Sequence, residues 1–382
     1  MSDEHPPIEQ KTPTVTKAPP AGRKFPCPAC GAKLDFDPAQ RALSCPYCGH
    51  VEQIAAGKGG VEERDYEAFL KHHAGVRKTI EGRSEQVRCP GCGAVVLLED
   101  KVVTDSCPYC ATHLENAPES AAEMIPPESL LPFRLEPRKA REAFDKWVGD
   151  RWFAPNSLKK LADLGRFSGI YVPFWTYDSM TYTAYSGQRG DDYPVTQTVV
   201  ETDADGNQHT RTITVIQTAW TWVQGEVQHF FDDVLICGSK SMPTDMVVEL
   251  VPWDMQELET FQASFLSGFK TERYAVALED GFEQAKREMD STIVQLVRQD
   301  IGGDHQQITS YQTRHLGVTF KHILLPVWLA SYRYNGQLYQ ILVNARSGEV
   351  VGRRPYSTWK IASLVFAIML GVTAIIALSM RR

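Results

Sequence analysis

Eight of the nine cysteines in this 382-residue chain obey one spacing, C-x2-C-x14-C-x2-C, used twice. The first copy is Cys27, Cys30, Cys45 and Cys48; the second is Cys89, Cys92, Cys107 and Cys110. The copies are offset by 62 residues, and their flanks repeat: CPACGA against CPGCGA, then SCPYC in both. Four thiolates meeting at tetrahedral corners suit Zn2+ in a closed structural site. Two such sites, one Zn2+ each, are the expected cofactors. Rubredoxin-like iron and disulfides are the rival readings of the same cysteines. Disulfides would need an oxidising compartment, which nothing else in the sequence marks. A site with four protein ligands has no open position for substrate, so its expected job is to hold shape.

The elements around these cysteines must aim the sulfurs. A glycine follows Cys30, Cys48 and Cys92, and a knuckle of two residues between cysteines needs positive φ at such a position. Two knuckles about fifteen residues apart predict the two ends of a short β-hairpin, a zinc ribbon. Ribbons are expected at residues 25–50 and 89–115. Each is too small to bury a sufficient core, so bound metal must supply on the order of 10 kcal/mol of its folding free energy. His50 and His113 follow the last knuckles and read as solvated or supporting side chains rather than replacement ligands.

The other segments divide by composition. Residues 1–24 hold five prolines and few apolar residues, and read as a disordered tail without the apolar run of a signal peptide. Residues 51–88 read as a helical linker, with an amphipathic helix at 61–80 carrying Tyr66, Phe69, Leu70, Val76 and Ile80. His72 and His73 read as exposed on it. From residue 22 to 115 there are 12 Lys or Arg against 13 Asp or Glu. Nucleic-acid affinity rests on a surplus of cations, so nucleic acid is not the expected partner. The run Arg77, Lys78, Arg83, Arg88 reads as a solvated helix end. Residues 116–127 read as a linker.

Residues 128–356 predict an α+β domain with antiparallel sheet. A helix is expected at 137–153, with Pro137 at its start, and a short one ending at Leu164. Strands follow at 169–185, 195–202, 210–223 and 227–237, with Asp205-Gly206 as a turn. Ile213 and Val215 differ in parity from Trp220 and Trp222, which predicts a bulge near Gln217–Thr218. Helices are expected near 253–261 and 274–297, then strands at 315–334, 337–343 and 349–352, with Asn335-Gly336 and Ser347-Gly348 as turns. The tetrapeptides VPFW (from Val172) and LPVW (from Leu325) suggest a weak internal duplication. Cys237 reads as a small core residue. No phosphate loop, dinucleotide fingerprint, HExxH or GxSxG occurs, so no catalytic residues are assigned and no enzyme is expected.

Residues 361–380 carry no charge. As a helix they span about 30 Å, the thickness of a bilayer's hydrocarbon. Tyr356 and Trp359 precede them at interfacial depth, with Lys360 before and Arg381-Arg382 after. This predicts a single-pass transmembrane helix acting as a tail anchor in the lipid bilayer. Flanking charge does not set its orientation; the thiolates place the body in the reducing cytosol, on the inner membrane.

The stretch CPACGAKLDFDPAQRALSCPYCG resembles the zinc region of the replication-restart helicase primosomal protein N′ and ribbons of the TFIIB type. With VPFWTYD, LPVWLASYRYNG, LVNARSGEVVGRRPYS and the C-terminal span, the chain resembles a family of bacterial membrane proteins that carry those labels. The helicase likeness covers only the ribbon, and motor motifs are absent, so unwinding is not implied. The family resemblance implies a membrane partner in envelope stress that recruits a cytosolic SPFH-type scaffold. The expected function is a membrane-anchored zinc-ribbon adaptor for a cytosolic protein. The alternative is a membrane-tethered nucleic-acid binder related to replication.

Overall fold

The computed structural model describes residues 25–55, 60–73, 85–89, 95–98, 104–106, 109, 113–115, 125–153, 167–202, 208–334 and 337–379. The expected tail, the helix ending at Leu164, and the turns at Asp205-Gly206 and Asn335-Gly336 lie outside these residues. So do positions 116–124 of the linker and the helix region carrying Val76 and Ile80. The architecture is α+β with a mainly antiparallel sheet.

Ahead of the sheet, β1 (Asp35–Asp37) and β2 (Ala42–Ser44), between Cys30 and Cys45, and β3 (Val51–Gln53), after Cys48, form a three-stranded antiparallel unit. Next, β4 (Arg64–Asp65) leads into α1 (Tyr66–His73). Two hairpins follow, β5 (Glu85–Arg88) with β6 (Val95–Leu98), and β7 (Thr104–Ser106) with β8 (His113–Glu115). After β9 (Ser129–Leu130), α2 (Pro137–Gly149) starts at its proline as expected and buries Ala140, Phe144, Trp147 and Val148.

Three strands then dominate the molecule: β10 (Ser168–Thr202), β11 (Gln208–Cys237) and β14 (His305–Tyr334). At about 3.3 Å per residue, thirty residues reach roughly 100 Å. Between β11 and β14 come α3 (Thr244–Glu249), β12 (Glu259–Thr260), β13 (Lys270–Glu272) and α4 (Leu278–Ile301). The chain closes with β15 (Gln337–Asn344), β16 (Val350–Gly352) and α5 (Thr358–Ser379).

The strands expected at 169–185 and 195–202 are one strand, as are those at 210–223 and 227–237. Gly187, Gly190 and Pro194 weaken strand propensity locally, but continuous cross-strand pairing overrides them. No bulge occurs near Gln217–Thr218: both residues keep register with Tyr193 and Asp192. The β10–β11 register shifts instead between Tyr177 and Ser179. The parity change has a different cause. The last β10–β14 pair is Gly190 with His305, and beyond it β10 and β11 run on as a two-stranded ribbon among the described residues. Ile213 and Val215 lie on that extension, where no helix forces a common buried face.

The VPFW and LPVW segments are neighbours. Val172 pairs with Leu325, Pro173 with Leu324, Phe174 with Ile323, and Gly169 with Trp328. Prolines inside a central sheet are unusual because they lack a donor. Here each marks a change of neighbour. On one side of β10 the partner passes from β13 (Ile170, Tyr171) to β11 (from Phe174). On one side of β14 it passes from β9 (Leu324) to β15 (from Val327). The missing N–H falls where the ladder is interrupted anyway.

Around this crossing, alternate side chains fill two cores. Ile170, Val172, Phe174, Leu325 and Val327 meet Met246 and Leu250 near α3, with Cys89 and Tyr109. Tyr171, Leu324 and Trp328 meet α2 and the first cysteine unit through Leu34, Phe36 and Leu43. Along the blade a third core forms as Leu278, Phe282, Ala285, Met289, Ile293 and Val297 of α4 cover Trp175, Tyr177 and Tyr185. The helix expected at 253–261 reduces to a single 3-10 turn, Met255–Glu257, before β12. Residues 358–377 form a helix long and apolar enough to cross a membrane, unburied by the rest of the protein.

Candidate metal centre

Cys27, Cys30, Cys45 and Cys48 converge, with all four sulfurs within 4.8 Å of one another. Cys27 Sγ lies 3.5 Å from Cys48 Sγ, and Cys30 Sγ 3.5 Å from Cys45 Sγ. Tetrahedral coordination at a metal–sulfur distance of about 2.3 Å puts sulfurs about 3.8 Å apart, so the cluster fits one ion of that size. Cys27 and Cys45 are buried; Cys30 and Cys48 face solvent.

Backbone turns build the cluster. The Gly31 N–H donates to Cys27 O at 2.8 Å, and Gly49 N–H to Cys45 O at 3.0 Å. Both glycines have positive φ, 71° and 73°, as the knuckle spacing predicts. The Cys45 N–H donates to His50 O at 2.8 Å, so His50 closes the second knuckle through its backbone. Without a metal the sulfurs compete for protons. The Cys48 N–H, followed by that of Tyr47, draws the Cys45 thiol down to about 6. The His50 N–H lowers Cys48, but the Cys27 and Cys45 sulfurs outweigh it and push it up to about 12. A cation would displace the remaining protons and relieve that competition.

This unit is docked, not tethered. Phe36 packs edge-on against Phe265 at 5.3 Å, and its N–H donates to Ser267 O at 2.9 Å. Ser267 Oγ donates to Leu34 O at 2.6 Å, and Arg41 pairs with Glu259.

Of the second cysteine set, Cys89 is buried in the core beside α3. Cys92, Cys107 and Cys110 lie outside the described residues, as does Gly93. Tyr109, inside the second SCPYC, is fully buried. Its hydroxyl donates to Glu272, and its carbonyl accepts from Ser331 Oγ (2.6 Å) and Gln340 Nε2 (2.9 Å). Glu272 also accepts from Ser239 Oγ (2.8 Å) and Ser241 Oγ (2.5 Å). Burial holds its carboxyl above the ordinary range against those three hydroxyls.

Sequence reasoning missed this network and a second one. Lys321 is buried in β14 and pairs with Asp233 at 2.7 Å and Glu63 at 3.0 Å. Asp178, at the bulge, accepts from the Asp233 N–H (2.6 Å) and Thr319 Oγ1 (3.0 Å). Burial, then its contact with Glu63, raises Asp178 to about 6. Beside it, burial raises Glu128 to about 7 although Arg64 lies 2.7 Å away. Burial also lowers His322 to about 4, against Trp175 and Tyr274. The one available signal was a lysine inside an apolar strand; its acids come from distant segments. Trp175 and Tyr177 are buried in packing; Cys237 is partly buried against the core beside α3, and burial pushes its thiol up to about 12.

No family model matches the chain, and no solved structure matches it. Over 253 residues it is 25% identical to a protein of Bacillus subtilis (strain 168) named uncharacterized protein YdjG, a match covering 63% of this chain and 67% of that protein.

Proposed function

We propose that this chain is a zinc-stabilised adaptor, held in the inner membrane by α5 with its body in the cytosol, that binds a cytosolic protein. Zn2+ is the ion in the first cluster, and the second set, Cys89, Cys92, Cys107 and Cys110, holds another. Both are structural. The proposed partner class is an SPFH-type scaffold, on the strength of the family resemblance, and no catalytic step is assigned to the chain.

The observation that carries this reading is the open face of the blade. Tyr185 and Phe231 of β10 and β11 point toward α4. Strand side chains alternate, so the even positions of β11 up to Phe230 point away from it; past the register shift the parity reverses and Ile236 joins the α4 core. There Ile216, Trp220, Trp222 and Phe230 are exposed, Trp222 at 67%. A monomeric soluble surface rarely gathers such residues without an occupant. Tyr47, at the tip of the first cysteine unit, offers a second exposed aromatic.

The test is affinity purification of the full chain from mild detergent, with and without chelator, beside the double variant Trp220→Ser, Trp222→Ser. A protein retained by the wild type and lost with both treatments supports the adaptor; retention that neither changes sinks it. Nucleic-acid binding is the competing reading, and filter binding at low salt separates the two, since phosphate contacts are strongest there.

A further inference from the structure

We propose that a second segment, Arg151–Phe153, joins the base of α5 to form a collar that rests on an anionic phospholipid surface. The inference depends on α5 spanning a bilayer.

Residues 151–153 follow α2, some two hundred positions before α5, yet they are fastened to its start. Lys360 Nζ donates to Trp152 O at 3.0 Å, and the Ser357 N–H donates to Phe153 O at 2.8 Å. Trp152 stacks on Phe153 at 5.7 Å and is itself 65% exposed. Trp359 is 81% exposed, and Tyr356 is exposed beside it. Three large aromatics therefore ring the end of a helix whose own apolar side chains are uncovered. Tryptophan and tyrosine favour the headgroup level, where an apolar ring and a polar edge are both satisfied.

The charges match that depth. Arg151 lies 3.9 Å over the Trp147 ring and donates to Trp147 O at 2.8 Å. Arg354 lies 5.1 Å over Tyr356, and among the described residues its buried Nη1 has no hydrogen-bond partner. Burial, then the like charge of Arg354, lowers Arg151, and Asp150 and Glu349 offset only part of this. Arg353 is already paired with Asp245 at 2.7 Å. Two neighbouring guanidiniums that repel each other, with Lys360 alongside, gather positive charge that suits phosphate oxygens. The helix places a sheet of phosphates at this level, so the occupant is the lipid surface.

The experiment uses the full chain, grown with 5-fluorotryptophan and reconstituted in nanodiscs. The discs are phosphatidylcholine alone or with about 30% phosphatidylglycerol, each carrying a lipid spin-labelled at the headgroup. Trp152→Phe, Trp359→Phe, Trp175→Phe and Trp328→Phe assign four of the eight 19F resonances. The collar predicts that Trp152 and Trp359 broaden together while buried Trp175 and Trp328 do not. It predicts about two-fold more broadening of Trp152 in the anionic discs, a difference lost in Arg151→Gln, Arg354→Gln. Broadening of Trp359 without Trp152 overturns the collar and leaves the span intact. Broadening of neither overturns the span and the collar with it. Equal broadening of Trp152 in both lipids overturns the preference for an anionic surface.

Discussion

The pentapeptide SCPYC occurs twice, and its tyrosine meets opposite fates. Tyr47 is 83% exposed; Tyr109 is 0% exposed. Both sit between the last two cysteines of a set, so the local backbone code is the same. The difference comes from what each unit docks against. The first unit turns its hairpin residues Leu34, Phe36 and Leu43 to the body and leaves its knuckle tip outward. The second presents the tip itself, driving Tyr109 between β14, β15 and the buried Glu272. One motif has become an exposed surface in one place and an anchor in the other.

The largest test of this contrast is metal removal. Chelation, or Cys45→Ser, should remove on the order of 10 kcal/mol from the first unit. Amide exchange should become fast across 25–55 while β10 and α4 stay protected; retained protection at 25–55 would show that docking alone holds the unit. Next is Tyr109→Ala, which should cost about 3–5 kcal/mol, as large aromatic truncations in cores do. Tyr47→Ala should stay within about 0.5 kcal/mol. Thermal melts of the two variants side by side would break the comparison if they shifted equally.

Tyr109→Phe is gentler. It leaves Glu272 with one hydroxyl fewer in a buried site, at about 1–3 kcal/mol. Tyr47→Phe should be silent in the same denaturant titration. The smallest expected effect is in pH. The Glu272 carboxyl is raised above its ordinary 4.5, so its contribution is fully present below that value and declines as pH rises through the folded value. Exchange at 113–115, normalised to exchange at 42–44, should therefore increase with pH, and Glu272→Gln should flatten the trend. An unchanged ratio would remove Glu272 from the anchor.

Some of the molecule was legible in one dimension because its causes are local. The knuckle glycines Gly31 and Gly49 take positive φ because the turn demands it, whatever lies around them. Pro137 opens α2, and the stripe Leu278, Phe282, Ala285, Met289, Ile293 and Leu296 names the buried face of α4 as far as Ile293, beyond which Val297 rather than Leu296 is buried. The apolar run at the C-terminus is a helix by length and composition alone. The blade was legible only in pieces. Propensity breaks at Gly187, Gly190 and Pro194, but each of those residues keeps its partner on β11, and pairing is a property of two strands at once.

Residue types and spacing by themselves determined the first sulfur cluster, the start of α2 and the apolar span, since each depends on neighbours a few positions away. Tertiary structure alone decided which tyrosine is buried, that Lys321 meets Glu63 and Asp233, and that Trp152 lies beside Lys360. These contacts join segments separated by tens to hundreds of positions. Their free energy comes from removing surface and charge from water together, which no single stretch of the chain encodes.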